Sequence, residues 1–158
     1  MAKVNIGKCV IKKASSVNGA PAADGGSVNW VTIPTPKEGT CSLSTTEGTD
    51  IEATIEGGEL IDCLGGKPSY TLEWEEWSEK GTPPTFEDNN GLVDGNFALQ
   101  VLPDRDENCP GFQIDNCTIK ASLLYTASDG QRTKYTAKVL KPATGNSVKR
   151  LNMTSSGG

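Results

Sequence analysis

The sequence predicts an all-β, mainly antiparallel single domain over residues 1–158, built as a β-sandwich or half-barrel with long loops and at most one short helix. Three observations lead to this prediction. Apolar and polar residues alternate with a period of two in several segments, as they do in half-buried strands. The 18 glycines and 9 prolines supply many turns. A chain of 158 residues has the size of one domain with its own core.

The N-terminal third predicts short strands separated by loops. Residues 4–10 alternate as a first strand, and residues 28–34 predict a second that ends at a Pro-Thr-Pro sequence. Between them, residues 14–27 are mostly small or polar and predict a long loop.

Residues 50–56 predict a half-buried strand with one acidic face. Its apolar face consists of Ile51, Ala53 and Ile55. Its other face carries the carboxylates of Asp50, Glu52 and Glu56. The glycine pair at 57–58 turns the chain into a hairpin, and we expect a register that pairs Ile55 with Ile61 and Ala53 with Cys63, because a two-residue loop would set Glu56 against Glu59.

The next segments supply most of the predicted core. Residues 69–77 form a strand in which Tyr70, Leu72 and Trp74 share one face. Residues 78–96 predict a second long loop, with residues 85–92 as the one helical candidate. Residues 97–103 predict a further strand, which ends at a proline.

The last predicted hairpin joins residues 118–125 to residues 132–139 through Ser128-Asp129-Gly130, with the glycine left-handed. This loop pairs Leu123 with Tyr135 and Ala121 with Ala137. We therefore expect Leu123, Tyr125 and Tyr135 to join the core. The remaining residues, 143–158, predict a flexible C-terminal tail.

Charge is segregated along the chain. Residues 46–79 contain ten acidic residues against the single base Lys67, a net charge of −9. The first 17 residues carry +4, and residues 118–158 carry +6. Solvated strand faces explain such a pattern, and so does a subunit that matches one of its surfaces to another surface of a second copy.

Catalytic chemistry has little support in the residues. The chain contains no histidine, which removes the commonest general base and the commonest nitrogen ligand of zinc. Glu73, Glu75 and Glu76 beside Trp74 and Trp77 could line a sugar groove, but an amphipathic strand is the favoured interpretation. Residues 88–91 and 104–107 are oxygen-rich, yet they lack the spacing of a calcium loop and predict plain turns. The sequence predicts no enzyme, no cofactor and no metal site.

The sequence also predicts where the chain is made. No apolar run of signal-peptide length follows the charged start, and nowhere do 18 apolar residues run together. We therefore expect synthesis in a cytosol and no membrane anchor. The five cysteines include no Cys-x-x-Cys pair and predict free thiols.

Two stretches resemble the major tail tube proteins of long-tailed bacteriophages. The first is Thr45-Thr46-Glu47-Gly48-Thr49 with the acidic hairpin that follows and the strand 69–75. The second spans residues 113–140, a strand, a Ser-Asp-Gly turn and another strand, and is closed by Lys141-Pro142. Such proteins are similar to the inner-tube proteins of contractile injection and type VI secretion systems.

The resemblance implies a structural virion protein in the phage tail, made in the host cytoplasm. It implies hexameric rings that stack into a conduit for DNA during ejection, with a small helix packed outside. Its expected partners are other copies of itself, other tail proteins such as the tape measure and the terminator, and DNA that passes without specific binding. The residues expected to face the lumen are Asp50, Glu52, Glu56, Glu59 and Asp62. The alternative is a monomeric immunoglobulin-like adhesin or carbohydrate-binding module that uses Trp74 and Trp77.

Overall fold

A computed structural model describes residues 6–24, 26–106 and 108–153, and in this part of the chain the fold is all-β. The predicted fold class is confirmed. The described residues form no helix, neither at 85–92 nor outside the sheet, so none of them builds a helix that could cross a membrane. The strands are β1 Cys9–Val17, β2 Ala20–Pro21, β3 Ala23–Asp24, β4 Ser27–Val28, β5 Val31–Thr32, β6 Ser42–Thr46, β7 Ile51–Thr54, β8 Leu60–Leu64, β9 Ser69–Trp77, β10 Phe97–Pro103, β11 Gly111–Thr126, β12 Gly130–Val139 and β13 Val148–Leu151.

One antiparallel sheet of nine strands curls into a half-barrel. Its strand order is β2-β1-β10-β11-β12-β9-β6, while β13 pairs with the first part of β11 and β5 pairs with β1. Two small hairpins, β3-β4 and β7-β8, form separate two-stranded sheets.

The core follows from side chains that alternate across three neighbouring strands. Leu72, Ala137 and Ile119 form one cross-strand row, and Trp74, Tyr135 and Ala121 form the next. All six are buried. A large side chain lies beside a small one in each row, which fills the inside of a curled sheet without overpacking it.

Phe86, from the long segment between β9 and β10, closes this core. Its ring lies 5.4 Å from the ring of Tyr135 and 6.3 Å from that of Trp74, centroid to centroid. The Tyr135 hydroxyl accepts a hydrogen bond from the Phe86 N–H and donates one to the Phe86 carbonyl, each at 3.4 Å. The segment therefore folds back over the sheet although it contains no named strand.

The core prediction is confirmed for Leu72, Trp74 and Tyr135, whereas Tyr70 is half-buried. It is wrong for Leu123 and Tyr125, which are each 70% exposed. Both lie on the predicted face, but the layer that covers this face ends earlier. The turn at residues 89–93 borders β11 only as far as Ala121, whose N–H donates to the Gly91 carbonyl.

The predicted register of the last hairpin is also wrong, by two residues. The structure pairs Ala121 with Tyr135 and Leu123 with Thr133, and the loop is residues 127–129. Gly130 is left-handed as expected, with a φ of 84°. Because a shift of two residues preserves the side-chain faces, Tyr135 still points into the core.

The segment 14–27, predicted as a loop, contains strands instead. β1 begins at Cys9, later than the predicted first strand, whose residues 4 and 5 lie outside the described range, and it continues to Val17. Ala14 and Ser15 pair with Ala98 and Phe97 of β10. Ladder hydrogen bonds come from the backbone, so small side chains do not prevent a strand where the neighbour supplies the bulk.

The predicted C-terminal tail contains β13, which pairs with residues 111–114 of β11. Asp115 explains why this part of the tail is ordered. Its carboxylate is only 3% exposed, accepts a hydrogen bond from Gln113 at 2.6 Å and forms an ion pair with Lys149 of β13. A buried carboxylate needs such a partner, so β13 belongs to the fold. Residues 154–158 of the predicted tail lie outside the described range.

The burial pattern gives a matched pair of substitutions. Leu72→Ala should lower the free energy of unfolding by about 2–5 kcal/mol because it leaves a cavity in the core. Leu123→Ala should change it by less than about 0.5 kcal/mol because Leu123 contacts solvent. Urea unfolding of the dispersed subunit measures both values. Equal losses would contradict the assignment of these two leucines to core and surface.

Candidate functional site: the exposed acidic hairpin

The β7–β8 hairpin stands apart from the main sheet. Every residue of both strands is exposed. The chain reverses through residues 55–59, where the Ile55 N–H donates to the Glu59 carbonyl at 2.9 Å. Gly57 and Gly58 have φ values of 97° and 87°, a region that favours glycine. The glycine pair therefore specifies this turn locally.

The base of the hairpin is a close crossing of two backbone segments. A Cβ atom on Gly48 would clash with the Lys67 carbonyl, and one on Gly66 would clash with the Thr49 carbonyl. The Gly66 N–H also donates to Asp50 Oδ1 at 3.0 Å. The two glycines thus allow the strands to leave the body of the protein side by side, and Asp50 serves this base as well as the acidic surface.

The predicted register of this hairpin is wrong, by one residue at Ala53 and by two at Thr54. The structure pairs Ala53 with Asp62 and Glu52 with Cys63, whereas Thr54 pairs with Leu60 on the other side of a bulge. A shift of one residue exchanges the faces of a strand. Asp62 therefore shares a face with Ile51, Ala53 and Leu64, opposite the face of Glu52.

The apolar residues of the hairpin contact solvent as well, so the prediction of a half-buried strand is wrong for the single subunit. Four large side chains, which we call the apolar set, are 53–68% exposed: Ile51, Leu60, Ile61 and Leu64. A two-stranded hairpin with neither face covered is marginally stable at best. Clusters of large exposed apolar side chains are typical of interaction surfaces.

The hairpin carboxylates are exposed without exception: Asp50, Glu52, Glu56, Glu59 and Asp62. Among the described residues, none of them forms an ion pair with the chain's own lysines and arginines. Some of those cations pair with other carboxylates, as Arg132 does with Glu75 at 2.5 Å and Lys134 with Glu73 at 3.5 Å. The acidic surface of the hairpin is therefore not neutralised within the described part of the subunit.

Asp50, Glu52 and Cys63 bring one ligand-type atom each to within 4.8 Å of one another. All three side chains are exposed. Because exposed acidic groups cluster commonly without binding an ion, we assign no metal to this group. Three further carboxylates were expected beside Asp50 and Glu52. Glu56 and Glu59 lie in or next to the turn, and Asp62 lies on the opposite face.

A second surface has the opposite charge. An open groove of about 950 Å³ is lined by apolar side chains, among them Leu43, Phe112 and Val148, together with the cations Lys67 and Arg150. This basic groove lies where β13 and the residues before it meet β6 and β11. Sequence reasoning missed it, because the apolar residues come from four distant segments of the chain.

The sugar groove considered from the sequence is not formed as expected. Trp74 is fully buried, so its ring has no face for a sugar, and Trp77 is 41% exposed with the Lys37 ammonium 5.3 Å from its ring centroid. Glu73 and Glu75 are held in cross-strand ion pairs. Glu76 faces the core, where it is 5% exposed and accepts a hydrogen bond from the Thr85 hydroxyl at 2.5 Å.

The oxygen-rich segments behave as turns in the described residues. The Asp88 carboxylate accepts a hydrogen bond from the Gly91 N–H at 2.8 Å, and the Asp106 carboxylate accepts one from the Asn108 N–H at 3.0 Å. These hydrogen bonds are the ones that aspartate makes at the start of a turn.

No protein-family model matches this chain, and no curated protein matches it either. The function must therefore be argued from the geometry of the subunit.

Burial raises the pKa of Glu76 above its ordinary value of 4.5, against the opposing effects of Thr85 and Lys13. Because the pKa of Glu76 is higher in the folded protein than in the unfolded chain, its contribution to stability is fully present below its pKa in the unfolded chain. This contribution is lost as pH rises through its pKa in the folded protein. Glu76→Gln should therefore gain stability over the wild type as pH increases above 4.5.

Urea unfolding of both proteins at a series of pH values measures this difference. Glu73→Gln, on the outer face of the same strand, is the matched control and should not remove this pH dependence. A constant difference between wild type and Glu76→Gln across the series would contradict the buried position of Glu76.

Proposed function

We propose that this chain is a structural subunit that assembles with copies of itself into stacked, hexameric rings, as a tail tube protein of a long-tailed bacteriophage. The observation that supports this most directly is the β7–β8 hairpin, whose apolar set and carboxylates remain outside a subunit that has a complete core. The ring number and the virion tail location come from the resemblance to the tail tube family.

Covering the exposed apolar side chains of the hairpin contributes to assembly. Burying one isoleucine or leucine side chain stabilises by at most about 1.5–3 kcal/mol, so Ile51 and Leu64, which share the face that packs in this proposal, provide at most about 3–6 kcal/mol. Association costs about 4–15 kcal/mol in lost freedom of motion. These two side chains therefore offset only part of this cost, and further contacts must supply the net affinity.

Charge supplies one such contact in the proposal. The acidic hairpin of one copy fits the basic groove of a neighbouring copy, since the groove combines Lys67 and Arg150 with apolar walls. Complementary charge fixes the register of two surfaces as well as attracting them. The face with Ile51 and Leu64 then packs against the neighbour, and Asp62 on this face meets its cations.

Open strand edges supply another contact. β6 lies at the end of the main sheet, and β11 beyond Ala121 has no neighbour among the described strands on the side opposite β12. Leu123 and Tyr125 lie on this part of β11 and are exposed. An unpaired edge with apolar side chains is a template for pairing with another chain.

The opposite hairpin face, with Asp50 and Glu52, borders the lumen in this proposal, and Glu56 and Glu59 lie at its tip. Like charge repels the phosphates of DNA, so DNA passes without binding. Screening limits the repulsion to about 10 Å at 0.1 M salt. The tape measure and terminator proteins are the partners proposed at the two ends of such a tube.

A monomeric adhesin or carbohydrate-binding module is the alternative. It has less support because, of the two tryptophans expected to stack on a sugar, Trp74 is buried and Trp77 is 41% exposed. We propose no catalytic activity, since the chain has no histidine and Glu73 and Glu75 are held in ion pairs.

Negative-stain electron microscopy of the purified protein tests the assembly directly, and we expect rings or tubes with a central hole.

Leu64→Asp should raise the concentration needed for assembly about ten-fold or more, because it replaces a leucine that assembly buries by a charged residue. Its thermal midpoint as a dispersed subunit should not change. Leu92→Asp, at a leucine that is 60% exposed outside the hairpin, is the control. A monomer of 16.7 kDa at every concentration would reject the proposal.

The lumen assignment has its own test in assembled tubes. Glu52→Lys with Glu56→Lys should leave assembly intact but make the tubes retain short duplex DNA at low salt, as measured by co-sedimentation. Glu38→Lys with Glu87→Lys makes the same change in net charge at exposed positions outside the hairpin. Equal DNA retention by both double variants would contradict a lumen position for Glu52 and Glu56.

A further inference from the structure

Two cysteines that are far apart in the sheet meet in the fold. Cys9 begins β1, and Cys41 immediately precedes β6. Along the main sheet, β10, β11, β12 and β9 separate these two strands. The sheet curls so strongly that its two ends approach each other, and the side chains of Cys9 and Cys41 line one cavity at this seam, close enough for the two thiols to interact.

The seam is crossed by residues 33–40, which are fixed on both sides. The Ile33 N–H donates to the Ile11 carbonyl of β1 at 3.0 Å. On the other side, the Lys37 N–H donates to the Glu75 carbonyl at 2.7 Å, and the Glu75 N–H donates to the Thr40 hydroxyl at 3.2 Å. These bonds hold the two thiols together while the cysteines are free.

A reagent of small size has access to this pair. Cys9 and Cys41 are half-buried and line an open cavity of about 640 Å³. Its walls include Leu72 and Val101, and the charged residues around it are Lys8, Lys37 and Glu38. The cavity opens to solvent, so a small disulfide can reach the thiols, and two of the three charged residues are cations that favour a thiolate.

The two thiols differ in acidity. The hydrogen bond from the Cys41 thiol lowers the pKa of Cys9 to about 7, although burial opposes this effect. The same hydrogen bond and burial raise the pKa of Cys41. Of the two thiols, Cys9 is therefore the one that loses its proton more readily, and Cys41 is the thiol beside it.

We propose that Cys9 and Cys41 form an oxidation site that reacts with small disulfides and closes the seam of the half-barrel with an intramolecular disulfide. The Cys9 thiolate attacks one sulfur of the small disulfide, forms a mixed disulfide and releases one thiolate. Cys41 then loses its proton to solvent and attacks the Cys9 sulfur, which releases the second thiolate. Two protein thiols are oxidised, and one small disulfide is reduced to two thiols.

The other cysteines lack this arrangement. Cys109 and Cys117 are buried, and the Cys117 thiol donates to the Phe97 carbonyl at 3.2 Å. Burial raises the pKa of Cys117 to about 12, so it is not a nucleophile at neutral pH. Cys63 is exposed, on the separate hairpin. The pair of neighbouring thiols therefore exists only where the two ends of the sheet meet. It lies within one subunit and does not depend on the proposed tube assembly.

Cys63→Ser provides the background for the test, because it removes the exposed thiol. The reduced, folded protein is treated with oxidised glutathione, quenched with acid, alkylated and analysed by mass spectrometry. We expect the loss of two thiols without retained glutathione and a cross-linked peptide that contains Cys9 and Cys41. Glutathione retained on Cys9 without this cross-link, or four intact thiols, would overturn the proposal.

Single variants in the same background separate the two steps. Cys41→Ser should stop at one glutathione on Cys9, while Cys9→Ser should react much more slowly. Closing the seam should also raise the thermal midpoint by roughly 5–15 °C, since the bond restricts the unfolded chain. This shift should disappear on addition of a reductant. A cross-link that forms without raising the midpoint would contradict the closure of the seam.

Discussion

The packing of Trp74, Tyr135 and Phe86 inside the curled sheet is the constraint on which the rest of the structure depends. The Trp74 and Tyr135 rings lie 5.5 Å apart on adjacent strands, and Phe86 packs edge-on against Tyr135. Burying three aromatic side chains is the largest apolar contribution that so few residues could make. A flat sheet could not enclose them, so the sheet curls and the segment carrying Phe86 folds over its concave side.

This curl explains what the subunit leaves outside. The core residues fill the concave side, and β7–β8 leaves the body at the crossing of Gly48 with Lys67. The turn at residues 89–93 covers β11 only as far as Ala121, so Leu123 and Tyr125 remain exposed. The surfaces proposed for assembly are thus consequences of a core that is complete without them.

The curl also decides which charges and thiols meet. Basic residues of the C-terminal half form ion pairs with Glu73, Glu75 and Asp115. The hairpin carboxylates form no such pair among the described residues. A segregated sequence therefore becomes a subunit with one acidic projection and one basic groove. At the seam, Cys9 and Cys41 come together because the two ends of the sheet do.

The amino-acid sequence was enough to assign the fold class, the turn glycines and the faces of the core strands. Leu72, Trp74 and Tyr135 could be assigned to the core because alternation with a period of two depends only on local backbone geometry. Packing between distant segments set which part of a face is covered, as Leu123 and Tyr125 show. The same packing produces the bulge that places Asp62 on the apolar face and the strand that contains Ala14. It also brings Cys9 close to Cys41. Each of these depends on what a distant segment supplies, and a local pattern carries no information about its neighbours in space.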